Sequence, residues 1–109
     1  MAIDYTRMRT KADAQIRKFG QLAHLRRTSG DRACWALEVQ LSNVEKRALK
    51  NPSNRVFLVS VVGLTVPPDN TDSLVWMEGT TQKVFRQDAP VSPLQPGGVI
   101  IYYELQVQG

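Results

Sequence analysis

The hydrophobic period of this chain changes at Gly20 and does not change back. Before it, Tyr5, Met8, Ala12, Ile16 and Phe19 recur at spacings of three and four, which places them on one face of a helix. After it, apolar residues recur at every second position or in short β-branched runs. Leu22, His24 and Arg26 alternate with Ala23, Leu25 and Arg27 as far as the Ser29-Gly30-Asp31 turn, a first strand. Trp35, Leu37, Val39 and Leu41 alternate with Ala36, Glu38, Gln40 and Ser42, which predicts a half-buried strand with the first set toward the core.

Residues 55–62, RVFLVSVV, are apolar on both faces, as a central strand would be. Gly63 ends that run, and Val66-Pro67-Pro68-Asp69-Asn70 is a rigid turn that cannot continue a ladder. Leu74–Met77 and Gln82–Arg86 flank Glu78-Gly79-Thr80, a hairpin pattern. Residues 89–98 carry three prolines and two glycines and predict an ordered surface loop. Val99–Val107 alternates again, and a strand so near the last residue is expected to pair inside or at the closure of a sheet.

One helix, then five or six closely spaced strands with no helix among them, argues against a parallel α/β sheet, whose crossovers need helices. The expected fold is therefore mainly β: a small antiparallel β-barrel or sandwich preceded by one N-terminal amphipathic α-helix over residues 4–19. At 109 residues the chain has room for one core and is expected to be a single domain over 1–109, with the barrel over 21–107. Asp4 is placed to cap the helix, with Ile3 and Met8 at the two staple positions. Gly20 stands where a left-handed residue would end it.

The sequence argues against several function classes. No apolar run approaches the roughly 18 residues of a bilayer-crossing helix, so no membrane association is expected. The charged N-terminus lacks an apolar signal core, and a cytoplasmic origin is expected. The single cysteine excludes an internal disulfide and a cysteine metal cage, and Cys34 reads as a small buried hydrophobe. His24 has no second histidine, so no metal site is expected. A Cys–His nucleophilic pair remains conceivable, because His24 and Cys34 flank a hairpin, but no orienting acid accompanies it. No phosphate-binding glycine loop, GxSxG or HExxH occurs. The chain is expected not to be an enzyme and to use no cofactor.

Charge is the remaining signal. The net +4 is uneven: residues 1–32 carry +5, residues 33–57 carry +2, and residues 58–109 carry −3. A basic front and an acidic back suit contact with nucleic acid, or packing of identical subunits with opposite charges meeting at each interface. Two basic groups stand out. Arg7, Lys11, Arg17 and Lys18 lie off the helix stripe and form a candidate intersubunit face. Lys46, Arg47, Lys50 and Arg55 occupy a polar excursion over 43–55, between two apolar strands. There Glu45–Lys50 predicts a helical turn or two, stopped by Asn51-Pro52 because a residue before proline avoids the helical region.

Trp35, Phe57, Trp76, Phe85 and Tyr103 sit at core periodicity, and Tyr102 lies opposite them. A base-stacking platform is thus poorly supported, while salt-sensitive contact with a nucleic-acid backbone stays open.

The order of segments resembles a known family. The opening MAIDYTRMRTKADAQIRKFGQLAHLRRTS, the strand RVFLVSVVGL, the VPP turn followed by DSLVW, and the ending VIIYYELQVQG are together similar to small neck proteins of tailed bacteriophages. These are called head–tail connector, head closure, stopper or adaptor proteins. The resemblance implies a β-barrel subunit of the virion or prophage neck, present in host cytoplasm before assembly. It implies a homo-oligomeric ring that joins portal and capsid to tail proteins and helps retain packaged DNA. Under it, Lys46, Arg47, Lys50 and Arg55 face the lumen and DNA, a neighbouring subunit, or solvent, and all three stay open. A tail-terminator or tail-completion role, and a small basic nucleic-acid-binding module, are the alternatives.

Overall fold

A computed structural model of the chain describes residues 3–109, and its first element is the helix α1, Tyr5–Phe19. Asp4 caps it: one carboxylate oxygen accepts the backbone N–H of Arg7 at 3.0 Å, satisfying a donor the helix itself leaves orphaned. The buried face is rotated from the one the spacing predicts. Ile16 is fully buried, and Tyr5, Arg9 and Ala12 are half-buried in line with it. Met8 and Phe19 are 41% and 62% exposed. Arg9 explains the rotation, because its guanidinium turns inward and donates to the Ile100 carbonyl at 2.7 Å. Gly20 ends the helix in an extended conformation, φ −99°, and not in the left-handed one. Glycine is needed there for a different reason: a Cβ would collide with the Ala36 carbonyl of the strand that passes beneath.

Seven strands follow: β1 Gln21–Arg27, β2 Gly30–Val39, β3 Arg55–Ser60, β4 Ser73–Glu78, β5 Thr81–Arg86, β6 Ser92–Leu94 and β7 Tyr102–Val107. A short helix, α2 (Asn43–Arg47), lies between β2 and β3. The strands form one antiparallel sheet in the order β5-β4-β1-β2-β3-β7-β6. As predicted, β3 is central, and β4 and β5 form a hairpin whose tip carries Gly79 at φ 65°. The strand count exceeds the expected five or six because β6 forms inside the predicted loop. It is an edge strand, where Pro93 costs no ladder bond.

The sheet curls without closing into a barrel. Beyond β5, Gln87 bridges Val107, the Asp88 N–H donates to the Gln106 carbonyl, and the Gln108 N–H donates to the Arg86 carbonyl. That contact brings the two halves together, yet β5 and β6 remain the ends of the sheet.

The core fills the inside of the curl. Leu25, Phe57, Val59, Leu74, Leu105 and Val107 are inaccessible to solvent. The Phe57 ring meets Trp76 edge-on at 4.8 Å and Phe85 at 5.8 Å. The register of β2 is the reverse of the expected one. Cys34 and Ala36 point into the core opposite Ala23 and Val59, while Trp35, Leu37 and Val39 face outward. Small side chains fit inside, where Phe57 and Leu25 already fill the curl. Large ones belong outside because that face is covered: α1 packs on β1, β2, β3 and β7, with Arg17 lying 5.3 Å over Trp35. A strand apolar on both faces does not announce which one is inner.

Ion pairs close both ends of this core. At one end, the fully buried carboxylate of Asp72 accepts two bonds from Arg27 at 2.9 Å each and two from Arg32 at 2.7 and 3.3 Å. The Asp69 N–H adds a fifth at 3.0 Å. At the other end, Arg55 donates to both oxygens of Glu38 at 2.7 Å, pairs with Glu78, and lies 4.7 Å over the Phe85 ring. Lys83 also pairs with Glu78. Burial opposes the charge on Asp72, but its hydrogen bonds from Arg27, Arg32 and the Asp69 N–H prevail and hold the carboxyl well below the usual range.

Asp72→Ala strands Arg32 and leaves Arg27 only Asp69 at the mouth of the core, and should cost about 3 kcal/mol in urea unfolding. Folding lowers the Asp72 pKa, so its stabilisation is complete above the unfolded value of about 3.9 and fades as pH falls toward the folded value. Over that acid window the wild-type protein should lose stability more steeply than Asp72→Ala, as read by unfolding at a series of pH values.

Candidate functional site

The excursion between β2 and β3 carries the first candidate cluster. Ser42 opens α2 with a capping box: its hydroxyl accepts the Glu45 N–H, and the Glu45 carboxylate accepts the Ser42 N–H, both at 3.2 Å. The helix ends at Arg47, inside the predicted Glu45–Lys50 turn, and starts two residues before it. Below it, the Lys50 N–H donates to Gln106 Oε1 at 3.0 Å, which anchors the excursion to β7. Asn54 is buried and donates to both Asp88 and Gln106 at 2.9 Å.

The four cations of this segment part company. Lys46 and Arg47 are exposed and have no ion-pair partner among the described residues. The Lys50 ammonium lies 3.5 Å from Asp88. Arg55 belongs to the ion-pair cluster at the end of the core with Glu38 and Glu78, and its hydrogen bonds to Glu38 first, then Glu78, raise its pKa further above the ordinary arginine value. Arg55 therefore works within the fold, and the exposed charge of the excursion is Lys46, Arg47 and, in part, Lys50.

The helix candidates divide in the same way. Arg17 is held by Asp13 one turn earlier at 2.9 Å, and Asp13 in turn accepts the Ser60 hydroxyl at 2.5 Å. Arg7, Lys11 and Lys18 are exposed and have no ion-pair partner among the described residues. Lys18 lies 5.3 Å over the exposed ring of Phe19.

Both groups occupy the outer side of the sheet. There α1 covers the region of Trp35 and Ser60, and the 42–50 segment stands over Val39 and Val56. Beneath that segment runs an open groove of about 360 Å³, walled by Val39, Leu41, Leu49, Leu58 and Tyr102, with Glu104 in its lining. The sequence pattern places Tyr102 opposite the core face of the last strand. It does not show the groove, whose far wall comes from the excursion.

The two residues with nucleophilic chemistry point apart. His24 pairs with Ala33 and Val75 on the outer face, while Cys34 pairs with Ala23 in the core, where burial pushes its thiol up to about 12. They are on opposite faces of one sheet and cannot act as a pair. Among the described residues no three His, Cys, Asp or Glu side chains are grouped to hold a metal ion, and no helix is long and apolar enough to cross a membrane. Comparison with protein-family models, with curated proteins and with solved structures finds no match to this chain.

The divided cations give a direct test. Arg55→Ala should lower stability by about 2 kcal/mol or more, because it leaves Glu38 unpaired beside the core. Lys46→Ala and Arg47→Ala should each stay within about 0.5 kcal/mol of the parent in the same denaturant titration.

Proposed function

We propose that this chain is a non-enzymatic structural subunit of the neck of a tailed bacteriophage. In this reading copies of it form a ring that joins the capsid portal to the tail and helps retain packaged DNA. The observation that carries the reading is the ordered resemblance along the sequence, from Ile3-Asp4-Tyr5 through the RVFLVSVVGL strand to the YELQVQG ending.

The surface is in keeping with it. Most cations without an ion-pair partner among the described residues sit on α1 and on the 42–50 segment. A ring multiplies such charges by its copy number, so a few cations per subunit become a strong collective field along a channel or an interface. Mixing the purified protein with the portal of its own phage and imaging the product by electron microscopy tests the reading. The expected result is a ring docked on the portal. A protein that never associates with portal or tail components overturns it.

The same unpartnered cations favour a second reading, a small nucleic-acid-binding module that contacts backbone phosphates without reading sequence. It expects retention on a DNA column at low salt, lost as salt rises and weakened in the Lys46→Ala/Arg47→Ala/Lys50→Ala variant. Absence of retention at low salt removes this second reading.

A further inference from the structure

We infer that the outer stripe of α1 in one copy of this chain docks into the groove beneath the 42–50 segment of the next copy, with Glu104 meeting the cations of that stripe. Two surfaces left incomplete within one copy carry this. The first is the groove, whose wall is apolar at Val39, Leu41, Leu49, Leu58 and Tyr102 and whose lining includes Glu104. Among the described residues, every other Asp and Glu either meets a cation or caps a helix. Glu104, opposite Leu58 on β7, has neither kind of partner. A half-buried carboxylate in an apolar groove is where an incoming cation gains most, because water screens the pair less there than on an open surface.

The second surface is the part of α1 that the fold leaves uncovered. Met8 and Phe19 are three helical turns apart on one line of the helix and are both exposed. Arg7, Lys11 and Lys18 run along the same side, and none has an ion-pair partner among the described residues. This stripe is apolar and cationic, and the groove is apolar and anionic. They match in chemistry, as an amphipathic helix matches the groove that receives it.

The stripe and the groove are different patches of one molecule. Their contact is thus head-to-tail, and each added copy presents a fresh stripe and a fresh groove until rotation closes the assembly. Resting on the ring reading above, this contact supplies the surface by which neighbouring copies recognise one another.

A charge swap tests it on the full chain by sedimentation velocity over a range of protein and salt concentrations. The wild-type protein should associate as concentration rises, and less so in high salt. Glu104→Lys and Lys11→Glu should each weaken association by about tenfold or more, and the two together should restore it. Circular dichroism checks that each variant is folded. If Glu104→Lys fails to fold, Glu104→Gln replaces it and should weaken association and flatten its salt dependence. A wild-type protein that stays monomeric up to about 1 mM, single reversals without effect, or a double variant that fails to recover overturns the contact. A protein that docks on its portal yet ignores the swap keeps the neck reading and loses this contact. One that associates through the swap-sensitive surface but never joins portal or tail does the reverse.

Discussion

Asp72 is the point on which the rest of the architecture depends. Its carboxylate is sealed from water and would be untenable without Arg27, at the end of β1, and Arg32, at the start of β2. The same two arginines reach the Pro67 carbonyl, and Arg32 reaches that of Val66, so the proline-rich turn is fixed against the β1–β2 hairpin. Gln87 donates to the carbonyls of Asp69 and Asp72, and Asn70 accepts the Val91 N–H. A turn that pairs with no strand thereby positions β4 against β1, the exit of β5, and the chain that leads to β6. Without it the sheet would lack the anchor that directs its curl.

A second cluster performs the matching task at the far end, where Arg55 joins Glu38 and Glu78 over the Phe57 and Phe85 rings. Strand-end positions are thus ionic where the core meets solvent. This has a consequence for function. Seven of the fourteen Lys and Arg pair with carboxylates of the same chain, among them Asp72, Glu38, Glu78 and Asp13. What remains outside is concentrated on α1 and the 42–50 segment. Net charge by itself therefore says nothing of where the charge offered to a partner lies.

The fold class was legible because period is a local property. Alternation in 21–27, 35–42 and 99–107 and the Glu78-Gly79-Thr80 turn specify strands and a hairpin from neighbouring residues alone, and the structure has those strands at 21–27, 30–39 and 102–107. Lys46 and Arg47 were legible as surface charge for the same reason. The β2 register was not, since Trp35 and Leu37 look like core until α1 is known to cover them. Met8 and Phe19 were assigned to the buried stripe because spacing cannot foresee that Arg9 turns inward to Ile100. Arg55 looked like one more loop cation because Glu38 and Glu78, its partners, are 17 and 23 positions away along the chain.

By itself the sequence determined one N-terminal helix, an antiparallel β-rich body after Gly20, a central β3, and two groups of cations. Those follow from residue type and short-range spacing, which need no knowledge of distant contacts. Only the tertiary structure decided which face of β2 is inside, that the sheet curls but stays open, and which cations are neutralised. It also decided that Glu104 lacks an ion-pair partner among the described residues, in a groove roofed by the excursion. The reason is physical: burial and ion pairing are set by side chains brought together from remote positions, and no local pattern encodes which of them will meet.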